Sequence, residues 1–254
     1  MDLSLKNNTA LICGSTQGIG LAIARELALL GANCILLARN EDRLKEVVAS
    51  LDSSLGQTHQ FAVADFQHTD QVKETAAALA AAGTIHILVN NTGGPAPGLI
   101  QNASADQFLN AFQQHIINNQ QLVQALLPGM KAARYGRIIN VISTSVKMPI
   151  PNLGVSNTIR AATAGWAKTL SLEVAADGIT VNNILPGFIM TGRLESLINS
   201  NAAAQKISPE ELAAQMEKQI PAQRFGETKE IAALAAFLAS PAASYINGTS
   251  IPVD

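Results

Sequence analysis

The sequence predicts an α/β protein built on a doubly wound parallel sheet, and three observations carry this prediction. The chain has 254 residues, which suits one large α/β domain. Short runs rich in β-branched residues alternate with helical patterns along most of it, and a glycine-rich turn follows the first run. Continuous apolar runs that alternate with helices are typical of parallel strands covered on both faces. We therefore expect residues 1–254 to form a single domain.

Seven apolar runs define the predicted strands. In chain order they read TALIC, NCILLA, HQFAVA, IHILVN, GRIINVI, ITVNNIL and TSIPV. The segments between them, for example Asp70 to Ala82 and Asp106 to Met130, are alanine-rich amphipathic helices. This order predicts a Rossmann-type domain of about seven strands with helices on both faces. A polar helical insertion at about 190–220, between the sixth strand and the last helix, is predicted to be a substrate lid.

Composition excludes several classes of function. Charged residues make up 14% and hydrophobic residues 48%, and the net charge is -2, so neither a disordered chain nor an electrostatic nucleic-acid binder fits. No apolar run approaches the roughly 20 residues of a membrane span, and the N-terminus lacks a signal-peptide pattern, so we expect a cytoplasmic protein. Cys13 and Cys34 lie in apolar runs without metal-ligand spacing, which predicts buried strand residues and no metal site.

The turn after the first strand indicates a nucleotide site. It reads CGSTQGIG, from Cys13 to Gly20, and leads directly into the helix LAIARELALLG. Glycines at 14, 18 and 20 permit a tight turn and close approach to a pyrophosphate, while the helix N-terminus presents free amides to the phosphates. A glycine-rich turn alone is a weak signal, but its place between a first strand and a first helix strengthens it.

Further motifs in the same order give the chain a family resemblance. The glycine spacing is G-x-x-x-G-x-G, AVADF contains Asp65 after the third strand, LVNNTGG contains Asn90 and Asn91 after the fourth, and LPGFIMTGR follows the sixth. Over nearly its whole length the sequence resembles the short-chain dehydrogenase/reductase family. The stretches NNTGGP and VKMPIPNLGVSN are most similar to a divergent group related to the 3-oxoacyl-acyl-carrier-protein reductases. The resemblance implies a nicotinamide-dependent oxidoreductase that acts on a small carbonyl or alcohol, possible substrates including a 3-oxoacyl compound.

The resemblance also implies which residues surround the cofactor. The glycine turn would contact the pyrophosphate and adenosine ribose, and the residues after the third strand the adenine. Those after the fourth strand would contact the nicotinamide ribose, and those after the sixth the carboxamide and diphosphate. Each of these residues alone could be an ordinary turn residue, but ordinary turns do not explain why all of them occur in this order. They are Gly14, Ser15, Gln17, Gly18, Ile19, Gly20, Asp65, Phe66, Asn91, Thr92, Gly93, Pro186, Gly187, Ile189 and Thr191.

Arg39 bears on the choice of cofactor. It ends the second strand in LLARNEDRL, and the first carboxylate after it is Glu41. An acidic residue at this place would bind the ribose 2′-hydroxyl of NAD, whereas an arginine favours the 2′-phosphate of NADP. The sequence therefore predicts NADP(H) in preference to NAD(H). The alternative is that Arg39 is a solvated residue at the start of the next helix.

The catalytic positions implied by the resemblance hold unusual residues. The family has a serine after the fifth strand, a tyrosine thirteen residues later, a lysine four residues further on and an asparagine on the preceding long helix. In this chain those places hold Ser143, Ser156, Arg160 and His115. From Arg160 onward the stretch RAATAGWAKTLSLE follows the family pattern without a gap. The alignment of Ser156 and Arg160 with the tyrosine and lysine of the family is therefore not shifted.

These substitutions leave two hypotheses. An aliphatic hydroxyl is a far weaker acid than tyrosine, whose pKa is about 10, and Arg160 can bind the cofactor ribose but cannot relay a proton. In the first hypothesis the serines bind the substrate oxygen, Arg160 supplies charge and His115, with an ordinary pKa of about 6.5, is the acid/base. In the second, the protein binds nucleotide but has lost reductase activity and serves as a binding, sensory or oligomeric partner, His115 being structural.

Three further expectations concern the remaining aromatics and the partners. Tyr135 and Tyr245 are interpreted as packing residues, neither being in register to replace the missing acid. The long helices at about 106–130 and 157–176 are expected to form a homotetramer or homodimer interface. The neutral, apolar character of the lid favours an uncharged or acyl-type ligand.

Overall fold

The computed structural model describes all residues from Met1 to Asp254 and contains one seven-stranded sheet. The strands are β1 Thr9–Cys13, β2 Asn33–Ala38, β3 Gln60–Val63, β4 Ile87–Asn90, β5 Gly136–Val141, β6 Ile179–Pro186 and β7 Ser250–Val253. Their spatial order is β3-β2-β1-β4-β5-β6-β7, and every neighbouring pair is parallel. The predicted doubly wound single-domain Rossmann fold is confirmed. The strand order reverses between β1 and β4, which opens a crevice at their carboxyl ends.

Nine α-helices connect and cover the strands. They are α1 Gly18–Leu29, α2 Glu41–Ser50, α3 Thr69–Ala82, α4 Ala105–Phe112, α5 Asn118–Ala133, α6 Gly154–Val174, α7 Gly192–Gln205, α8 Pro209–Glu217 and α9 Thr228–Ala239. A core of 26 buried residues joins the sheet to α1 and α9, and another of 19 joins it to α3, α5 and α6. The two cysteines lie in different cores, Cys34 in the first and Cys13 in the second. Burial raises the pKa of each thiol to about 12, so both are inert structural residues, as the sequence predicts.

The long helix predicted for 106–130 is interrupted. Between α4 and α5 the residues Gln113–Ile117 form a π-helical turn, and His115 lies within it. Turns of this type insert an extra residue into a helix and occur frequently at functional sites. His115 therefore lies at a break in the α-helical pattern and is buried there.

The segment predicted as a lid forms α7 and α8. These helices pack around a small core of their own, made of Leu194, Ile198, Ala202, Leu212, Ile220 and Phe225. Side-chain oxygens of Thr191 and Ser208 accept hydrogen bonds from the first-turn amides of the two helices. Such caps fix where each helix begins.

The interpretation of both tyrosines as packing residues is correct for only one of them. The Tyr135 hydroxyl donates to the Ala239 carbonyl at 2.6 Å, and its ring lies 4.1 Å from the Arg137 guanidinium carbon. Tyr245 is fully exposed, because it lies in the loop between α9 and β7 and contacts no core. No helix of this chain combines the length and the apolar character that a membrane span requires.

Candidate functional site

The glycine turn lies at the point where the strand order reverses. Gly14 and Gly18 adopt left-handed backbone conformations, with φ of 60° and 56°. A Cβ at Gly14 would lie 2.5 Å from the Asn91 carbonyl oxygen, and one at Gly20 would lie 2.2 Å from the Gly14 carbonyl oxygen. The Asn91 amide donates to the carbonyls of Cys13 and Gly14, each at 3.2 Å. The turn is therefore locked against the loop that follows β4, and only glycine fits.

Gly14→Ala is expected to lower the free energy of unfolding by about 1–3 kcal/mol, since it forces a side chain into a left-handed conformation, and to abolish dinucleotide binding. Gly56 is a matched control, because it has φ of 85° but open space around its Cβ position. Gly56→Ala is expected to share the strain and to bind dinucleotide normally. Chemical denaturation and a fluorescence titration check both effects. Equal binding by the two variants would contradict the assigned role of the turn.

The glycine turn has the features of an anion cradle. Gln17 precedes α1 without any side-chain cap, so the first amides of the helix are left for a ligand. The Ser15 hydroxyl is fully buried and has no hydrogen-bond partner. Thr191 borders the turn, its Cγ2 being 3.6 Å from the Cβ position of Gly18. An orphaned buried hydroxyl beside free amides fits a bound diphosphate.

The other predicted cofactor residues follow the carboxyl ends of β2, β3 and β6. Arg39 is exposed at the end of β2, next to the Asn40 cap of α2. Asp65 and Phe66 follow β3, and the Phe66 carbonyl accepts a hydrogen bond from Asn118 of α5 at 2.8 Å. After β6, the Gly187 amide donates to the Val253 carbonyl at 3.0 Å. The last of these residues are Pro186, at the end of β6, and Ile189, which is buried and forms a bridge with Gly226.

Arg160 joins the helix α6 to the end of β5 and to the loop after β4. Its guanidinium donates to the Val141 carbonyl at 3.0 Å and to the Thr92 carbonyl at 3.4 Å. The residue is 8% exposed, and burial, aided by the charge of Arg193, lowers its pKa to about 10. It remains positively charged near neutral pH. Arg160 therefore lies against the loop that contains Thr92 and Gly93.

Ser143 and Ser156 come from neighbouring elements. The Ser143 oxygen accepts a hydrogen bond from the Ser145 amide at 3.1 Å, at the start of a short 3-10 turn after β5. Because this bond uses an acceptor position, the hydroxyl proton of Ser143 stays free to be donated. Ser156 is buried in the first turn of α6, four residues before Arg160. Asn157 anchors that turn by exchanging hydrogen bonds with the backbone of Ile150.

His115 is the most strongly perturbed titratable group of the crevice. It is 3% exposed, and its Nε2 atom has no hydrogen-bond partner. Burial, followed by the charges of Arg160 and Arg193, lowers its pKa to about 2, while the Gly93 backbone acts weakly in the opposite direction. The imidazole is thus neutral near pH 7. The expectation of an ordinary pKa of about 6.5 is wrong, because it ignores desolvation and two neighbouring cations.

The structure adds Arg193, which the sequence analysis missed. From the first turn of α7 it donates to the Gly94 carbonyl at 2.9 Å and to the Pro95 carbonyl at 3.0 Å. It therefore bridges the predicted lid to the loop after β4. The only sequence signal is an arginine two residues after Thr191, which by itself does not indicate where the side chain points.

Comparison with known proteins identifies the family. A family model described as "Enoyl-(Acyl carrier protein) reductase" matches residues 14–254. The chain is 36% identical over 256 residues to the 3-oxoacyl-[acyl-carrier-protein] reductase FabG of Haemophilus influenzae, covering 98% of each chain. This chain belongs to the short-chain dehydrogenase/reductase family. Within the family it is also 31% identical to the NADPH-dependent reductase BacG of Bacillus subtilis, over 98% of this chain and 97% of that one.

Solved structures of the family agree with this assignment. The L-sorbose reductase of Gluconobacter frateurii, complexed with NADPH and L-sorbose, superimposes with a TM-score of 0.94 at 31% identity, covering 100% of this chain and 97% of that chain. The fold and the resemblance to the 3-oxoacyl-acyl-carrier-protein reductases predicted from the sequence are thus confirmed. The short-chain dehydrogenase/reductase relatives named here are reductases, which supports an oxidoreductase.

Proposed function

We propose that this protein is an NADP(H)-dependent reductase of small carbonyl compounds with a rebuilt proton-handling site. In this proposal Ser156 and Arg160 occupy the places of the family's tyrosine and lysine, and His115 that of its asparagine. The observation that carries the proposal is the convergence of Arg160 and a neutral His115, whose Nε2 atom has no partner, on the loop beside an intact glycine turn.

The residues present fit a nicotinamide dinucleotide. The glycine turn, the free amides of α1 and the orphaned Ser15 hydroxyl suit its diphosphate. Thr191 borders that turn, and the Thr92–Gly93 loop with Arg160 would hold the nicotinamide ribose. When bound, the reduced cofactor supplies a hydride to the carbonyl carbon of the substrate.

The side chains of this protein would then stabilise the oxygen of the reacting carbonyl. Ser143 has a free hydroxyl proton to donate to that oxygen, and Ser156 supplies a second hydroxyl from α6. The nearby charge of Arg160 favours the developing alkoxide, and its effect is strong because the guanidinium is buried. These three residues act as donors and as a positive charge, without losing a proton themselves.

The proton would be passed on by His115 as a neutral relay. With a pKa of about 2 it cannot hold a stored proton near pH 7. A neutral imidazole accepts at one ring nitrogen and donates from the other, so it can connect the substrate oxygen to water without becoming a stable cation. This role replaces the acid/base function expected of a histidine with ordinary pKa.

Arg39 supports a preference for NADP(H). It is exposed at the end of β2, takes part in no salt bridge, and is therefore available to a 2′-phosphate. Relatives described as NADPH-dependent or complexed with NADPH point the same way.

Arg39→Asp is expected to weaken NADPH binding by about 10- to 100-fold, the range for a lost charge-assisted hydrogen bond, and to leave NADH binding equal or tighter. Fluorescence titration with both cofactors measures this. Arg25→Asp, which makes the same charge change at an exposed position of α1, is the control. If wild-type protein binds NADH more tightly than NADPH, the assignment fails.

The relatives of this chain indicate a class of substrate. A 3-oxoacyl-type carbonyl compound is the first candidate, since the family relatives include 3-oxoacyl-acyl-carrier-protein reductases. The helices α7 and α8 would act as a lid over it.

Exposed apolar side chains on α4 and α6, among them Leu109 at 60% and Leu172 at 72%, suit a homotetramer or homodimer interface. Light scattering measures the oligomeric state.

A second candidate function is nucleotide binding without reduction. It is favoured by one observation, the absence of any group near Ser156 whose pKa suits proton donation at pH 7. The decisive experiment follows NADPH absorbance with a panel of 3-oxo acids, esters and thioesters, ketoses and cyclic diketones. Turnover supports the reductase. Normal NADPH binding without turnover of any compound supports the second candidate.

A further inference from the structure

Two guanidinium groups converge on one loop of the crevice. Arg160 reaches the Thr92 carbonyl from α6, and Arg193 reaches the Gly94 and Pro95 carbonyls from α7. Neither takes part in a salt bridge, although the chain as a whole carries a net charge of -2. Two positive charges thus lie beside this loop, Arg160 buried and Arg193 exposed, without a carboxylate from the protein to pair with either.

Arg137 shows how this chain satisfies a buried arginine that needs no ligand. Its guanidinium donates to the carbonyls of Gly136, Gly178 and Ser240 and lies over the Tyr135 ring. Arg160 has only two carbonyl acceptors, one of them at 3.4 Å, and no aromatic partner. A buried cation with incomplete partners is unfavourable unless further hydrogen-bond acceptors or an anion join it.

His115 provides an independent indication of a ligand. Its Nε2 atom is buried and unpartnered, and the ring experiences the charges of both Arg160 and Arg193. A bound anion between the two arginines would relieve their mutual repulsion and reduce the field that acts on the imidazole. His115 and Arg160 therefore both lie beside this loop with hydrogen-bonding capacity that the protein does not fill, and the positive charge there favours a negatively charged ligand.

The diphosphate of a cofactor already has another place. The glycine turn, the free amides of α1 and Thr191 form its cradle. Arg160 and His115 lie against Thr92 and Gly93 in the loop after β4. Arg193 contacts the next residues of that loop, Gly94 and Pro95. Experiment must therefore separate a contact of Arg193 with the substrate from a contact with the diphosphate.

We propose, resting on the proposed function, that the substrate is an oxo acid whose carboxylate is bound by Arg193 with support from the charge of Arg160. The planar fork of an arginine matches a carboxylate in a bidentate arrangement. Arg193 is partly exposed and holds only two backbone carbonyls, so it can exchange them for the ligand. Reduction adds a hydride to the oxo carbon and a proton to its oxygen, giving a hydroxy acid and oxidised cofactor. This anionic substrate differs from the uncharged or acyl-type ligand that the lid composition predicts.

The first experiment compares acids with their own esters. Acetoacetate and ethyl acetoacetate, with 2-oxo and 4-oxo homologues, are assayed with NADPH. We expect kcat/KM to favour the acid by about 10- to 100-fold, the range for a charge-assisted contact. Arg193→Met should reduce this preference to about 2-fold or less, Arg193→Lys should retain part of it, and Arg25→Met should leave it unchanged. Preference for the esters, or an acid preference that survives Arg193→Met, overturns the proposal.

The second experiment measures the binding of acids and esters without requiring their reduction. Thermal stabilisation is measured for the protein alone and for the NADP⁺-loaded protein, with each acid and each ester. Stabilisation by acids, absent with esters and lost in Arg193→Met, supports the proposal even if no compound is reduced. No stabilisation by any acid overturns it, as does a loss of NADPH affinity in Arg193→Met equal to the loss of acid affinity, which would assign Arg193 to the diphosphate. If NADPH fails to bind, the proposed function falls, while the acid and ester comparison on the protein alone still decides this proposal.

Discussion

Replacing His115 by alanine is expected to lower kcat/KM for carbonyl reduction by about 10²- to 10⁴-fold, the usual contribution of proton transfer by a positioned side chain. The reason is that His115 is the proposed proton relay between the substrate oxygen and water. NADPH affinity should change little, since His115 lies beyond the glycine turn. Steady-state kinetics and a fluorescence titration separate the two effects.

The pH profile tests how His115 acts. Because its pKa is held at about 2, the wild-type kcat/KM should show no inflection near 6.5 that disappears on mutation. His115→Asn, which keeps a polar side chain of similar size, is the matched control and should retain more activity than His115→Ala. An inflection near 6.5 that vanishes in both variants would show that the histidine works as an imidazolium acid, contrary to the relay proposed here.

Ser143→Ala is expected to lower kcat by about 10²- to 10³-fold, comparable with loss of one donor to a developing oxyanion. The Ser143 oxygen already accepts from the Ser145 amide, so its proton is directed away from that bond. Ser143→Thr keeps the hydroxyl and should retain most of the activity. The effect is measured at saturating substrate, with the thermal midpoint followed in parallel.

Two outcomes would argue against this role for Ser143. An alanine variant with unchanged kcat would mean that the hydroxyl does not contact the reacting oxygen. A loss of activity that matches a fall in the thermal midpoint would indicate that Ser143 serves as the cap of the short 3-10 turn, which its bond to Ser145 also permits.

The fold was predictable because its determinants are local. Apolar runs such as ITVNNIL are buried along their whole length in β6, and the glycines at 14, 18 and 20 lie where a side chain would collide with backbone or require a left-handed conformation. Such requirements are readable from residue type and spacing. The positions of Arg160 and the Thr92 loop follow from the same strand order.

The electrostatics of the site were not predictable from sequence. The π-helical turn around His115 has the same apolar pattern as the helices on either side, so nothing in the residues marks it. The lowered pKa of His115 depends on burial and on charges carried by α6 and α7, which are distant in the chain. Arg193 belongs to the same group, since only the packing of α7 brings it to Gly94 and Pro95. The electrostatics of the site therefore depend on how distant segments pack together, which residue spacing alone does not specify.

The most direct test of the proposed reductase is isotope transfer from NADPH deuterated at nicotinamide C4. The protein is incubated with the panel of 3-oxo acids, their esters and thioesters, ketoses and cyclic diketones, and products are examined by mass spectrometry. We predict a hydroxy product that carries one deuterium, formed by the wild type and reduced at least about 100-fold in His115→Ala and Ser143→Ala. Tight NADPH binding with no deuterium in any product, or transfer unaffected by both substitutions, would contradict a rebuilt reductase site made of Ser143, Ser156, Arg160 and His115.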